Sequence, residues 1–284
     1  MSLSAARIKL VKSLKQKKFR QTYHKFVVEG VKMVAELVLQ SAYSIEVIYA
    51  LPGWSNPGFP EELIVRVNDR ELGRMSQLAT PNEVLAVLGL PQVGTSRQSS
   101  NLGSEPKLEN SKAIAGTQAN SGTTTGHLEA WPTILQTGWS IYLDGVQSPA
   151  NLGAIMRVAE WFGFKAVIRG PETADLYNHK SLQASMGSFL RIPSPELDLS
   201  EIKTAIPDLP LYGTATTGDS IYDFQPPDRG LLVIGREGSG IRPKTNDLLE
   251  NYLRIPQAET SRAESLNAAV AAGVACSHIT LNSR

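Results

Sequence analysis

The sequence predicts two α/β units joined by a polar tether, the second of them built on a mostly parallel sheet with helices on both faces. Three observations carry that reading. From Gly138 onward, apolar runs of strand length alternate with helical stretches, the pattern of repeated βαβ units. A shorter alternation of the same kind fills residues 1–91. Between them, residues 92–137 are dominated by Ser, Thr, Gly, Asn and Gln, and no period of two or of 3.6 survives there. At 284 residues, 42% hydrophobic and 19% charged, the chain has the length and composition for two globular cores.

Taken in order, Ser4 to Gln21 reads as one basic helix with Ile8, Val11 and Leu14 as a thin apolar stripe. Phe26-Val27-Val28-Glu29-Gly30 opens the first strand. A helix over Val31 to Leu39, a strand over Ile45 to Ala50, a Pro/Gly loop through Pro60 and a strand over Leu63 to Val67 follow. Thr80 then reads as a helix cap with Pro81 at the first helical position, before the closing apolar run from Val84 to Leu90.

Charge is segregated along this segment. Met1 to Lys32 holds nine Lys or Arg against one acid, Glu29, a net +8 in a chain whose total is +1. That asymmetry is the footprint of a polyanion partner. A transit peptide is disfavoured because the basic run passes straight into core-like sequence, and membrane docking because the apolar stripe is thin. A solvated helix face is the bland alternative. Nucleic acid is the better reading, with Lys9, Lys12, Lys15, Lys17, Lys18 and Arg20 available to a phosphate backbone.

The polar stretch from Gln92 to Thr137 buries too little apolar surface to offset ordering entropy of ~1–2 kcal/mol per residue. It reads as a flexible tether that lets the basic unit move. Beyond it, strands are expected at Ser140–Asp144, Lys165–Arg169, Pro210–Thr214, Gly230–Ile234 and Tyr252–Ile255. Helices are expected over Leu152–Phe162, Tyr177–Phe189, Ser200–Ala205 and from Ser265 onward. In that last helix Ser265 and Asn267 stand at the first turn, ahead of an Ala/Gly face able to lie close to neighbouring backbone. A single cysteine, Cys276, excludes an internal disulfide and suits a reducing, cytoplasmic compartment. Four His at positions 24, 127, 179 and 278 offer no metal-binding spacing, and no apolar run reaches membrane-spanning length.

Three loops leave strand ends in the second unit, Asp144 to Arg157, Gly235 to Ile241 and Ile255 to Asn267. In parallel sheets, ligands bind at those carboxyl ends. Gly235-Arg236-Glu237-Gly238-Ser239-Gly240 has neither the dinucleotide fingerprint nor the phosphate-loop spacing, and it is not a nucleophile elbow. A nicotinamide-dependent oxidoreductase or a serine hydrolase would need a motif this chain lacks.

Leu143-Asp144-Gly145-Val146-Gln147-Ser148-Pro149-Ala150-Asn151-Leu152-Gly153-Ala154-Ile155-Met156-Arg157 resembles the first motif of the SpoU (TrmH-like) branch of SPOUT RNA methyltransferases. Ile234 through Gly240 resembles the second motif. Ile255-Pro256 and Ser265-Leu266-Asn267 resemble the third. The basic start resembles the small α/β RNA-binding domain that often precedes this fold. The resemblance implies S-adenosylmethionine as donor, a ribose 2′-hydroxyl as acceptor, a homodimer and a C-terminal trefoil knot. Ribosomal RNA is the expected substrate, with tRNA the rival. A non-catalytic RNA-binding or assembly factor retaining the fold is the alternative from another class.

By the same resemblance, Gly235, Ile255 and Leu266 line the donor pocket, and Asn151, Arg157, Glu237, Ser265 and Asn267 serve the acceptor side. The family proposals make Arg157 the base. Freeing a guanidinium proton, with pKa ~13, costs roughly 8 kcal/mol at neutral pH. An arginine that stays cationic, grips the adjacent phosphate and acidifies the hydroxyl is the preferred reading. Ser148 stands where the family commonly has Asp, Gln257 replaces a common Met, and Ala258 to Glu264 lengthens the link before Ser265.

Overall fold

The computed structural model describes residues 3–39, 43–91 and 130–283. The tether expected over 92–137 lies outside the described residues up to 129. Its last part is folded: a helix spans Trp131–Ile134, and Leu135 is buried against the second sheet.

The N-terminal unit runs α1 (Ala5–Ser13), α2 (Lys17–Tyr23), β1 (Lys25–Glu29), α3 (Val31–Glu36), β2 (Ile45–Ala50), β3 (Ile64–Arg66), α4 (Asp69–Met75) and β4 (Val84–Gly89). Its sheet has the order β1-β4-β2-β3, antiparallel except between β2 and β3. The single basic helix expected over Ser4 to Gln21 is two helices. The chain turns at residues 14–16, burying Leu14 beneath the sheet beside Ile8 and Val11. The helix expected at Thr80 is absent, because residues 84–89 pair with strands on both sides and claim the backbone. A helix begins instead at Asn68, whose Oδ1 accepts from Glu71 N at 2.9 Å while Glu71 Oε2 accepts from Asn68 N at 3.1 Å. This reciprocal cap satisfies two otherwise orphaned donors.

The C-terminal unit contains α5 (Trp131–Ile134), β5 (Trp139–Leu143), α6 (Pro149–Trp161), β6 (Val167–Arg169), α7 (His179–Ser185), α8 (Leu199–Ala205), β7 (Leu211–Ser220), β8 (Gly230–Ile234), α9 (Pro243–Asn246), β9 (Asn251–Arg254) and α10 (Ala268–Asn282). The five strands lie in the order β6-β5-β8-β7-β9, and every pairing is parallel. Successive side chains of a strand point to opposite faces. Trp139, Ile141 and Leu143 therefore meet the α6 and α10 side, while Tyr142 meets α8 on the other. The helix expected over Tyr177–Phe189 is α7 alone, stopped by a left-handed Met186 and followed by a 3-10 turn at Ser188–Leu190. Close packing of α6 on α7 depends on Gly153, where a Cβ would stand 2.2 Å from the Ser181 carbonyl oxygen.

The tether reading implied units free to move, yet their apolar surfaces are continuous. Phe26, Val28, Ile48, Ala86 and Leu88 on one face of the first sheet belong to the same buried cluster as Ile141, Leu152 and Phe189. Phe26 packs on Tyr177 with centroids 4.6 Å apart, and Gln183 Nε2 donates to the Glu29 carbonyl at 3.0 Å. Buried aromatic area of this kind fixes one relative placement.

Candidate active site

The first loop starts where β5 ends. Asp144 is fully buried there and accepts from Arg242 N at 2.6 Å, Arg242 Nε at 2.8 Å and Thr245 Oγ1 at 2.7 Å. One carboxylate thus pins the start of α9 to the end of β5. The hydrogen bond to Asp144 is the main reason that the Arg242 guanidinium is held more firmly protonated than usual. Ser148 caps α6, its Oγ accepting from Asn151 N at 3.3 Å. The departure at Ser148 therefore keeps the capping function that an Asp would have served.

The second loop is a closed hairpin after β8. Arg236 N donates to Gly240 O at 2.9 Å and Gly240 N to Arg236 O at 3.0 Å. Gly235 sits against its far arm, with a notional Cβ 2.3 Å from Gly240 C and 2.4 Å from Ile241 N. Any side chain there would strike backbone, which has no rotamer to yield. Arg236 in turn pairs with Glu172.

The third loop follows β9 and ends at α10. Here the structure corrects the helix start: α10 begins at Ala268 and not at Ser265, because Asn267 is the cap, its Oδ1 accepting from Ala269 N at 3.0 Å and from Val270 N at 3.4 Å. Ser265 lies in the extended link before it and is exposed. The longer link is tied back on itself, with Gln257 Nε2 donating to Ala263 O at 2.7 Å.

The three loops meet at Glu237. Its Oε1 accepts from Asn151 Nδ2 at 2.5 Å, from Asn267 Nδ2 at 2.8 Å and from Ala268 N at 3.4 Å. Asn267 Nδ2 also donates to Asn151 Oδ1, at 3.1 Å. Residues separated by 86 and by 30 positions are thereby joined on one exposed carboxylate. An anion at the first turn of a helix is also where the helix dipole favours it.

Of the residues expected on the acceptor side, Asn151, Glu237 and Asn267 are brought together. Arg157 is exposed on α6 and, among the described residues, forms no hydrogen bond or ion pair; the same holds for hydrogen bonds of Ser265. On the expected donor side, Gly235 opens the hairpin, Ile255 is half-buried and Leu266 is 48% exposed. Asp144, Thr245 and Arg242 were missed as the anchors of this site. The signal for them was weak: an Asp at a strand end and an Arg-Pro pair at a helix start.

The expected nucleic-acid contacts divide. Lys9, Lys12, Lys15, Lys17 and Lys18 are exposed on α1, α2 and the turn between them. Arg20 is corrected, since it is 2% exposed and turned inward. Its Nη1 donates to the carbonyls of Leu14 and Lys15, both at 2.8 Å, and its Nη2 pairs with Asp175 of the C-terminal unit. It satisfies carbonyls orphaned at the end of α1 and cannot also reach a phosphate. Arg20→Ala should therefore cost about 2 kcal/mol and lower the melting temperature by several degrees. Lys17→Ala with Lys18→Ala should leave melting unchanged and flatten the salt dependence of the nucleic-acid binding expected of this face. Thermal melts of the two variants, together with filter binding at varied salt, check the division.

Residues 138–277 match the model of the SpoU rRNA Methylase family, and residues 5–86 match the MRM3-like substrate binding domain. The chain is 34% identical over 144 residues to the 23S rRNA (guanosine(2553)-2'-O)-methyltransferase RlmP of Bacillus subtilis, covering 49% of this chain and 56% of that protein. It is 36% identical over 141 residues to the 23S rRNA (uridine(2479)-2'-O)-methyltransferase of Streptomyces viridochromogenes, covering 46% and 48%. The chain thus spans about half the length of the curated relatives it matches. Among solved structures, a putative RNA methyltransferase of the TrmH family from Porphyromonas gingivalis superposes with a TM-score of 0.73 at 28% identity, over 98% of each chain. The SpoU methyltransferase AviRb from Streptomyces viridochromogenes shares the fold, with a TM-score of 0.73 at 21% identity over 98% of each chain. The two matched models, with the SpoU match spanning residues 138–277, place this chain in the SpoU rRNA methylase family, with an MRM3-like substrate binding domain ahead of the SpoU region.

Proposed function

We propose that this chain is an S-adenosylmethionine-dependent RNA 2′-O-ribose methyltransferase acting on ribosomal RNA in the cytoplasm. The observation that carries the reading is the junction at Glu237, where Asn151, Asn267 and the first turn of α10 are joined across three loops. The residues around it fit the donor. Gly235 lets the hairpin close tightly on its own backbone, and Leu266, next in sequence to the Asn267 of the junction, leaves an apolar side chain uncovered for a flat aromatic ring. Gly235, Ile255 and Leu266 would hold that molecule, which supplies a methyl group on a positively charged sulfur.

The chain's own residues position the acceptor. Glu237 and Asn267 lock the Asn151 amide in one orientation, so that a ribose hydroxyl meets preorganised partners. Arg157 has no other partner among the described residues and is free to hold the neighbouring phosphate as a cation. The 2′-hydroxyl then loses its proton to water or phosphate in a field that favours the oxyanion. Relatives named as 23S rRNA methyltransferases, together with the matched substrate binding domain, favour rRNA over tRNA.

A homodimer belongs to the same proposal. Trp161 at the end of α6 is 83% exposed, and Val270 and Leu281 on the adjoining α10 are 53% and 70% exposed. Arg157 lies one turn before Trp161, so a second copy covering this apolar face would enclose Arg157 as well. The test uses the full chain: calorimetry with S-adenosylmethionine, then ribose-methylation mapping on rRNA transcripts incubated with it. Saturable binding and one modified ribose are expected. Absence of both overturns the reading.

A further inference from the structure

Between the two units, away from the Glu237 junction, lies a cleft of about 440 Å³ whose walls include Lys15, Gln77, Leu78, His179 and Lys180. Two features set it apart from an ordinary seam. Gln77 is 7% exposed, yet among the described residues its Nε2 has no hydrogen-bond partner; the same is true of the buried Nδ1 of His179. A buried amide donor left unpaired costs about 1–3 kcal/mol. The cost at Gln77 is avoidable in principle, since its backbone N–H is already held by Glu29 Oε1 at 2.7 Å and the side chain takes no part in that bond. The volume also suffices for one small-molecule-sized group.

The second feature is charge. Lys15 and Lys180 stand exposed at the rim. Burial, with Lys15 and Lys180 close by, pushes the His179 imidazole below its usual range and keeps it neutral. Behind Gln77, Glu29 is the opposing acid; its own burial raises it, and Ser76 Oγ and Gln77 N occupy its oxygens. Arg20 is committed to Asp175. The cleft is therefore lined by two lysines that form no ion pair among the described residues, by Gln77 and His179, each with an unpaired nitrogen just beneath its surface, and by an apolar wall at Leu78. Cations at a rim and hydrogen-bonding groups with apolar surface inside are the recognition pattern for a phosphate and its attached base.

We infer that this cleft takes one nucleotide of a single-stranded segment of the RNA, with the phosphate on Lys15 and Lys180 and the base edge on Gln77 and His179. The inference rests on the RNA reading above and deepens it, because it moves part of substrate recognition from the basic helices into the seam that fixes the two units together. A duplex keeps its bases stacked and paired, so a single-stranded loop or end is the form that enters.

The test is fluorescence anisotropy of the full chain with a short labelled oligouridylate, titrated across salt. Lys15→Ala with Lys180→Ala should reduce the salt slope by about 0.7, the value of one single-strand phosphate contact. Gln77→Leu should weaken binding about five-fold with the slope unchanged, the equivalent of one lost hydrogen bond. Melting of Gln77→Leu should not fall, which separates lost contact from lost fold. Wild-type affinity and slope in both variants would overturn the inference, as would an equal loss with a duplex of the same length. Calorimetry with S-adenosylmethionine on the same samples keeps the two readings apart. If the donor fails to bind while the variants still lose RNA, the methyltransferase reading falls and the cleft stands; donor binding with unaltered RNA affinity gives the reverse.

Discussion

Arg157→Ala is expected to slow methyl transfer by about 10²–10³-fold, the usual loss when one charge-stabilising donor is removed from a reacting oxygen. The fold should be untouched. Arg157 is exposed in the middle of α6 and holds no hydrogen bond or ion pair among the described residues, and Ala is a good helix former. Donor affinity should stay near the parent value, since Gly235, Ile255 and Leu266 lie on the other two loops. Arg157→Lys should recover only part of the rate, because an ammonium lacks the planar fork that grips a phosphate in a fixed orientation. Single-turnover rates on an rRNA transcript, with S-adenosylmethionine affinity measured alongside, read all three outcomes. Undiminished turnover in Arg157→Ala would remove this residue from the chemistry and leave the Glu237 junction to act without a cation.

Much of the Glu237 junction was legible because it is built from polar side chains that stand in recognisable motifs. Asn151, Glu237 and Asn267 stand in motifs that lie at the ends of strands, and a parallel sheet gathers such ends on one edge. The strands themselves were legible from runs such as residues 230–234, which are apolar on both faces as a doubly covered sheet demands. What failed was any feature settled by a distant partner. Arg20 sits in a row of exposed lysines and looks like one of them; only the carbonyls at the end of α1 and Asp175, 155 residues away, turn it inward. Thr80-Pro81 has good helix-start chemistry, but β4 is flanked by β1 and β2 and its ladder takes the backbone first. The polar stretch after residue 91 suggested units free to move. Nothing local in Phe26, Tyr177 or Phe189 announces that they share a core.

Asp144 is the position where stability and donor binding should fail together. Its carboxylate is fully buried and accepts from the backbone and guanidinium of Arg242 and from Thr245 Oγ1. Asp144→Ala leaves those donors without their acceptor and the guanidinium with only the longer pairing to Glu172. Breaking a buried pair costs about 3–5 kcal/mol, and here the lower end applies because the Arg242 side chain keeps 21% exposure. For a chain of this size that is a fall of roughly 6–12 °C in melting temperature. The damage is also directional. Arg242 follows the hairpin that opens at Gly235, so releasing it frees the far arm against which Gly235 is packed. Donor affinity should therefore drop even at temperatures where the variant remains folded. Asp144→Asn keeps an acceptor oxygen and the shape while removing the charge, and should fall between parent and Asp144→Ala in both measurements. Calorimetry with S-adenosylmethionine well below the melting point separates the local effect from global unfolding. Parent-like melting in Asp144→Ala would mean that Glu172, already 3.7 Å from Arg242 Nη1, takes over the guanidinium. The double variant Asp144→Ala with Glu172→Ala would then show the loss that the single change concealed.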